Sequence, residues 1–121
     1  MTKTLKVGIA PREVIVRYTR DVVAGRRRRA ADAPDIWFTS VESFAKILSE
    51  RNRRLLALIA ERRPDSIDAL AAASGRAKSN LSRTLRTMEQ HGLVRLEKGQ
   101  ARKLRPVVTF DRLELKLSLA A

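Results

Sequence analysis

The stretch SIDALAAASGRAKSNLSRTLRTMEQHGLVRLEKGQARKLRPVV, residues 66–108, decides the fold because its hydrophobic period changes once. In the first part, apolar residues recur every three or four positions, which predicts two helices. The first helix covers Ile67–Ser74 and the second runs from about Ala77 to His91. Gly75, which lies between them, suits a tight turn because glycine adopts left-handed backbone angles without steric cost.

The second part of the stretch alternates apolar and polar residues, which is typical of strands. Gly92 ends the second helix, Leu93–Leu96 is predicted as a strand, and Leu104–Phe110 as the strand that returns. Gly99–Ala101 supplies the turn between them. A short helix, a glycine turn, a second helix and a hairpin follow one another in a winged helix-turn-helix. The predicted fold is therefore mainly α with a small β component (α+β).

Three serines upstream predict where further helices begin. Ser40 and Ser49 precede apolar runs with helical spacing, and Ser66 (or Asp65) precedes Ile67. A serine at such a position accepts a hydrogen bond from the first turn of the helix. Residues 36–110 are therefore predicted to form one domain, with helices ahead of the helix-turn-helix.

The N-terminal segment, residues 1–35, is predicted to add a strand, a helix and a basic linker. Leu5–Ile9 alternates, and Pro11 opens a helix that ends near Gly25. The helix has apolar residues at Val14, Ile15, Tyr18 and Val22. In the linker, Arg26–Arg29 suits either contact with phosphate, a solvated loop or an address signal.

The C-terminal segment, residues 111–121, alternates leucine with polar residues, which predicts one extra strand. The leucines are Leu113, Leu115, Leu117 and Leu119. A four-leucine face needs a cover, because native proteins avoid exposed apolar edge strands. The Leu5–Ile9 strand or the Val14–Val22 helix can cover it, from the same chain or a second copy. We therefore expect both terminal segments to form a homodimer interface.

The charge of the chain is strongly positive and uneven. Its 121 residues hold 26 Lys and Arg, of which 19 are arginine, against 13 Asp and Glu, a net charge of +13. Residues 76–121 hold 11 basic residues against 4 acidic ones, whereas residues 36–75 nearly balance with 6 against 5. Such asymmetry favours a polyanionic partner. General solubility or an arginine-rich codon bias would explain the charge without one.

The composition excludes several classes of site. The chain has no cysteine and a single histidine, His91. It therefore cannot form disulfides or a zinc site that uses cysteine by itself. No acidic pair has catalytic spacing and no glycine-rich phosphate loop exists. We expect no enzyme, no cofactor and no metal. Short apolar runs and a polar N-terminus predict no membrane association and a cytoplasmic, nucleoid-associated protein.

The predicted DNA-binding site lies on the helix from Ala77 to His91. At about 100° per residue, the face opposite Leu81, Leu85 and Met88 is polar or cationic and free of carboxylates. A merely solvated helix usually mixes Glu with Lys at spacing i, i+4. This helix does not, and it carries side chains that can hydrogen-bond the edges of bases, namely Ser79, Asn80, Ser82 and Arg83. In the alternative interpretation the helix is only solvated, and Ser79 or Asn80 caps its first turn.

The predicted hairpin tip is also basic. Lys98, Arg102, Lys103 and Arg105 surround Gly99-Gln100. Such a loop suits a phosphate backbone or a minor groove, although a solvated turn would look the same. The predicted DNA-binding residues are Arg76, Lys78, Ser79, Asn80, Ser82, Arg83, Arg86, Lys98, Gln100, Arg102 and Lys103.

Residues 66–76, 79–85 and 91–94 resemble the DNA-reading part of MarR-like winged helix-turn-helix transcriptional regulators. The flanking runs Ile36–Phe38 and Arg105–Val108 are similar to those of a family of small DNA-binding proteins in that group, and the likeness extends over about residues 8–117. The resemblance implies a dimeric DNA-binding repressor, and some relatives act as antitoxins beside a small toxin. The alternating C-terminal segment departs from the long dimerising helices of MarR proteins.

Two other functions remain compatible with the sequence. The chain could be an antitoxin that binds a toxin protein and regulates its own operon. It could also be a basic protein associated with RNA or ribosomes, although five aromatic residues are few for stacking on bases. Trp37 and Phe38 are expected in the core, and His91 is expected to offset the dipole at the end of its helix.

Overall fold

The chain is a small α+β protein, described by a computed structural model over residues 3–119. Residues 1, 2, 120 and 121 of the predicted terminal segments lie outside the described residues. The described part has five α-helices and five strands. These are β1 (Thr4–Ile9), α1 (Arg12–Val23), β2 (Ile36–Phe38), α2 (Val41–Ile47), α3 (Glu50–Arg62), α4 (Ile67–Ser74), α5 (Lys78–Gln90), β3 (Arg95–Lys98), β4 (Leu104–Val107) and β5 (Arg112–Leu117).

The two ends of the chain meet in a three-stranded sheet of order β2-β1-β5. Both pairings are parallel, and Val7 is opposite Ile36 on one side and Leu115 on the other. Val7 and Ile9 are buried on the face that contacts the helices. The Leu5–Ile9 strand is therefore a neighbour of the C-terminal strand within one chain, as one of the predicted alternatives proposed.

The opposite face of the sheet approaches α1. A Cβ atom at Gly8 would lie 2.5 Å from Pro34 Cγ and 2.7 Å from Trp37 Cζ3, so only glycine fits under these rings. The Trp37 ring also packs on Tyr18 of α1, with ring centroids 5.9 Å apart. No residue of α1 is fully buried. Because Gly8 and Val7 point to opposite faces, α1 and the remaining helices lie on opposite sides of the sheet.

The core lies between the sheet and α3, α4 and α5. Its fully buried side chains include Phe38, Ile59, Leu70, Leu81, Leu85, Met88 and Leu93. Phe38 joins the sheet to the helices, since its ring meets Phe44 edge-on at 5.4 Å and lies parallel to His91. Phe38 is therefore a core residue, as expected, whereas Trp37 is half-buried.

Serine caps begin three helices as predicted. The hydroxyl oxygens of Ser40, Ser49 and Ser66 accept from the backbone N–H three residues later at 3.0, 3.2 and 3.0 Å. Ser66 rather than Asp65 is the cap of α4. Gly75 ends α4 with a φ of 74°, in the left-handed region that favours glycine. The turn that sets the angle between α4 and α5 is therefore determined locally.

The hairpin differs in its bounds from the prediction. Leu93 and Val94 are buried in the core rather than paired, and the strand begins two residues later, at Arg95. The cause is the turn at Gly92, after which Leu93 N–H donates to Met88 O at 2.9 Å. The returning strand ends at Val107 rather than Phe110, and the turn extends past the predicted Gly99–Ala101 to Lys103.

The four-arginine linker is tied to the protein. Arg26 pairs with Asp21 at 3.1 Å, and Arg29 pairs with Asp35 at 2.9 Å. The Arg27 guanidinium lies 4.8 Å from the centre of the Tyr18 ring. Three of the four arginines therefore contact α1 or the residue that precedes β2. Over residues 3–119, no helix is both long and apolar enough to cross a membrane.

Candidate nucleic-acid interface

Helix α5 has one fully buried face and one exposed face. Leu81, Leu85 and Met88 are each 0% exposed. The outward side chains are exposed, except for Ser82, which is half-buried. They are Ser79, Asn80, Ser82, Arg83, Arg86 and Gln90. The helical face predicted from spacing is therefore present, and it is turned away from the core.

The beginning of α5 has no side-chain cap. Ala77 is the N-cap residue and makes no side-chain hydrogen bond. Neither Ser79 nor Asn80 is therefore the cap of α5. Their side chains make no hydrogen bond within residues 3–119. The first backbone N–H groups of a helix have no partner within it and carry partial positive charge, so this end suits an anion.

The one acidic residue of α5 accepts a hydrogen bond from the hairpin. Glu89 Oε2 accepts a hydrogen bond from the backbone N–H of Leu96 at 3.2 Å. This contact joins α5 to β3 and keeps the carboxylate on the flank. Within the described residues, neither Arg83 nor Arg86 pairs with an acidic side chain. The outward face of α5 therefore keeps the full positive charge of both arginines.

Arg76 lies just before α5 and is anchored to α3. Its guanidinium nitrogens lie 3.2 Å from Asn52 Oδ1, and Nη2 donates to the backbone oxygen of Arg51 at 3.0 Å. Asn52 in turn donates from Nδ2 to the backbone oxygen of Ile47 at 2.9 Å. Burial, with the nearby charge of Arg51, lowers the pKa of Arg76. This network fixes the start of α5 against the junction of α2 and α3.

Lys78 is also partly engaged. Its ammonium pairs with Asp68 of α4 at 2.9 Å, with both side chains more than half exposed. Exposed pairs of this kind contribute little to stability, about 0–1 kcal/mol. Asp68 and a phosphate would therefore compete for Lys78.

The tip of the hairpin, residues 98–103, is a closed basic loop. Gly99 N–H donates to Lys103 O at 2.6 Å, and Ala101 and Arg102 have φ angles of 56° and 61°. Non-glycine residues adopt such angles only where surrounding structure holds them there. Lys98, Gln100, Arg102 and Lys103 are all exposed. The loop therefore presents three cations in a defined shape.

Arg105 behaves differently from the other cations of the hairpin. It donates to Glu97 Oε1 across the two strands at 2.8 Å, and Arg95 lies 3.4 Å from Glu97 Oε2. The hydrogen bond from Arg105 holds the pKa of Glu97 below its usual range. The cations at the base of the hairpin thus stabilise the strand pair, whereas those of the tip are free of ion pairs within residues 3–119.

The end of α5 is held by an aromatic contact. His91, its C-cap residue, stacks on Phe38 with ring planes 5° apart and centroids 4.7 Å apart. Neither this contact nor the Arg76–Asn52 network was predicted from the sequence. Asn52 and Arg76 are 24 positions apart, and no local pattern identifies such a pair.

The chain was compared with known proteins. A protein-family model described as HVO_A0114 matches residues 47–115, from the last residue of α2 to within β5. No curated protein matches the chain. The matched segment is more than half of the sequence and contains α4, α5 and the whole hairpin. The chain therefore belongs to the HVO_A0114 family.

Proposed function

We propose that the protein is a sequence-specific regulator that binds double-stranded DNA and represses transcription as a homodimer. In this proposal, α4, α5 and the β3–β4 hairpin form a MarR-like winged helix-turn-helix. Helix α5 enters the major groove, and the hairpin tip contacts the backbone or the minor groove. The observation that carries the proposal is the outward face of α5, which is exposed, basic and free of carboxylates.

The dimensions support this assignment. A helix with its side chains is about 10–12 Å across, close to the width of the major groove, about 12 Å. Arg83 and Arg86 lie on consecutive turns of the outward face, and Ser79 and Asn80 precede them at the uncapped end. Arginine reads guanine edges through two parallel hydrogen bonds, and asparagine reads adenine edges in the same way.

The hairpin supplies contacts of another kind. Lys98, Arg102 and Lys103 are exposed on a loop whose backbone is closed by the Gly99–Lys103 hydrogen bond. Cations on such a loop bind the phosphates of DNA of any sequence, and these contacts set the orientation of the helix on the DNA. Arg76 is assigned a positioning role instead, because its guanidinium nitrogens contact Asn52 and Arg51.

The experiment is to select bound fragments from random duplex DNA and to measure the affinity for the enriched sequence. A scrambled duplex and a structured RNA are measured at the same salt concentration. We expect the enriched duplex to bind about 10³-fold or more tightly than the scrambled one. Equal binding of the scrambled duplex, or tighter binding of RNA, would contradict the proposal.

A pair of variants tests whether DNA binding depends on the outward face of α5 or only on the net charge of the protein. Arg86→Ala removes a cation from α5, and Arg17→Ala removes an exposed cation from α1, on the other side of the sheet. Both lower the net charge equally. We expect Arg86→Ala to weaken DNA binding and Arg17→Ala to leave it almost unchanged. Equal losses would mean that charge alone accounts for binding.

A further inference from the structure

Strand β5 forms an open edge of the three-stranded sheet. It pairs with β1 on one side only, because the strand order is β2-β1-β5. Leu113 packs against the core, but Leu115 and Leu117 are each 46% exposed on the same face. An exposed edge strand with apolar side chains is a template for pairing with another strand. The edge therefore needs a partner.

We propose that the partner is a second copy of this chain, whose β5 pairs antiparallel with the first around a twofold axis through Leu115. The axis is perpendicular to the sheet, so the two three-stranded sheets join into a single six-stranded sheet. The core-facing side of one sheet then continues into the core-facing side of the other. This inference deepens the proposed homodimer by assigning its surface and register.

The charges of β5 favour this register. With Leu115 on the axis, Glu114 lies opposite Lys116 of the partner subunit, and the contact occurs twice by symmetry. Leu113 lies opposite the partner subunit's Leu117 on the other face, which also occurs twice. Opposite charges and apolar pairs directly across an antiparallel pair are both stabilising. The sequence Leu113-Glu114-Leu115-Lys116-Leu117 is thus complementary to itself.

Neighbouring registers are less favourable. An axis through Glu114 brings the two copies of Glu114 together and places Arg112 opposite Lys116. An axis through Lys116 brings the two copies of Lys116 together. An axis through Leu113 also pairs opposite charges, Arg112 with Glu114, but only residues 112–114 of β5 then face one another, against residues 113–117 when the axis passes through Leu115. Like charges directly across a strand pair are destabilising, and a shorter paired segment makes fewer cross-strand contacts.

The existing contact of Lys116 is compatible with the pairing. Its ammonium lies 2.8 Å from Asp32 Oδ2, with 63% of its side chain exposed. Glu114 is exposed and makes no ion pair within residues 3–119. In the dimer, Lys116 would lie between Asp32 of its own chain and Glu114 of the partner subunit.

Mixing two charge-reversed variants tests the register. Glu114→Lys alone places lysines opposite each other twice, and Lys116→Glu alone places glutamates opposite each other twice. When the two variants are mixed, both contacts are attractive again. By sedimentation velocity, we expect each variant alone to dissociate about tenfold more readily than the unmodified dimer. We expect the mixture to recover the dimer as a heterodimer.

Matched controls carry the same charge changes elsewhere. Glu61→Lys and Lys46→Glu alter exposed residues of α3 and α2 and should leave the dimer intact. Thermal melting checks that all four variants are folded.

A second measurement does not depend on charge. The chain has no cysteine, so Leu115→Cys introduces a single thiol. Residues directly opposite in an antiparallel pair have Cα atoms about 4.5–5.5 Å apart, within the range that a disulfide spans. We expect mild oxidation to link two Leu115→Cys chains, whereas Val23→Cys, on an exposed site of α1, stays unlinked.

Three results would overturn the inference. One is an unmodified protein that is monomeric at tens of micromolar, which would leave the edge to a different partner such as a toxin. The others are dimers that survive both charge reversals, and failure of Leu115→Cys to link. All three are measured without DNA. A dimer that forms as described but binds no DNA would contradict only the proposed function.

Discussion

The Phe38 ring lies parallel to the imidazole of His91, 4.7 Å away, and thereby joins β2 to the end of α5. The start of α5 is held by Arg76, which contacts Asn52 of α3. The helix that we propose for the major groove is therefore fixed at both ends by residues outside α4, α5 and the hairpin. Its orientation depends on residues that would not touch DNA.

Asn52→Ala tests this dependence. The change removes the acceptor of Arg76 and the donor to Ile47 O, leaving a partly buried guanidinium without one of its acceptors. We expect a loss of about 1–3 kcal/mol in the free energy of unfolding, measured with denaturant, and weaker binding to every DNA sequence. Asn80→Ala, on the exposed face of α5, should leave stability unchanged and weaken only the preferred sequence. Unaltered stability in Asn52→Ala would contradict the positioning role.

Arg83→Ala separates base contact from phosphate contact. If Arg83 contacts a base, the change should cost about 1–3 kcal/mol on the preferred duplex and much less on scrambled DNA. Lys103→Ala at the hairpin tip should weaken binding to both duplexes by similar factors. Fluorescence anisotropy on the two duplexes measures both effects. Equal losses for Arg83→Ala would make that residue a phosphate contact.

The dependence on salt measures how many phosphates are contacted. The exposed cations of α5 and the tip, present twice in a dimer, could neutralise about ten phosphates. The logarithm of the affinity should then fall against the logarithm of the salt concentration with a slope near −9. Lys103→Ala should reduce the slope by about 2 in a dimer. A slope shallower than about −3 would remove the electrostatic basis of the proposal.

Acid should weaken the attachment of β1. Asp35 Oδ2 accepts from Lys6 N–H at 2.9 Å, and this hydrogen bond, with help from Arg29, lowers the pKa of Asp35 below its ordinary value of 3.8. A carboxyl group whose pKa is lowered by folding stabilises the folded state at pH values above its ordinary pKa. This stabilisation is lost as the pH falls through the lowered pKa. Thermal unfolding from pH 5 to about 2 should therefore be less pH-dependent in Asp35→Asn. An unchanged profile in Asp35→Asn would contradict the assignment.

Leu115→Asp combined with Leu117→Asp links the dimer to DNA binding. Two carboxylates at the open edge should yield monomers by sedimentation. Binding to an inverted repeat, with half-sites about 34 Å apart, should fall much more than binding to a single half-site. Leu119→Asp is the control, since Leu119 is already 96% exposed. A full dimer in the double variant would place the interface elsewhere.

Local features of the sequence predicted most of the fold. Ser40, Ser49 and Ser66 were identified as caps because a cap acts within three residues. The polar face of α5 followed from spacing alone. The partners of β1, by contrast, were predicted only in part, because an alternating pattern indicates a strand but not its neighbour. Pairing with β5 was one of the alternatives, and pairing with β2 was not predicted. The hairpin bounds were displaced because Leu93 and Val94 are as apolar as strand residues but are buried without pairing.

The pairing of Thr4 with Arg112 and of Ile9 with Leu117 also bears on the order of folding. Closing a loop of more than 100 residues is slower than closing the short turns at Gly75 and Gly99, because the entropy of loop closure must be overcome first. The pair of helices α4 and α5 and the hairpin should therefore form early, and the junction of β1 with β5 late. If β5 also forms the dimer contact, subunits would associate only after β5 has paired with β1. A partly folded chain would then lack the β5 edge with which a second copy pairs.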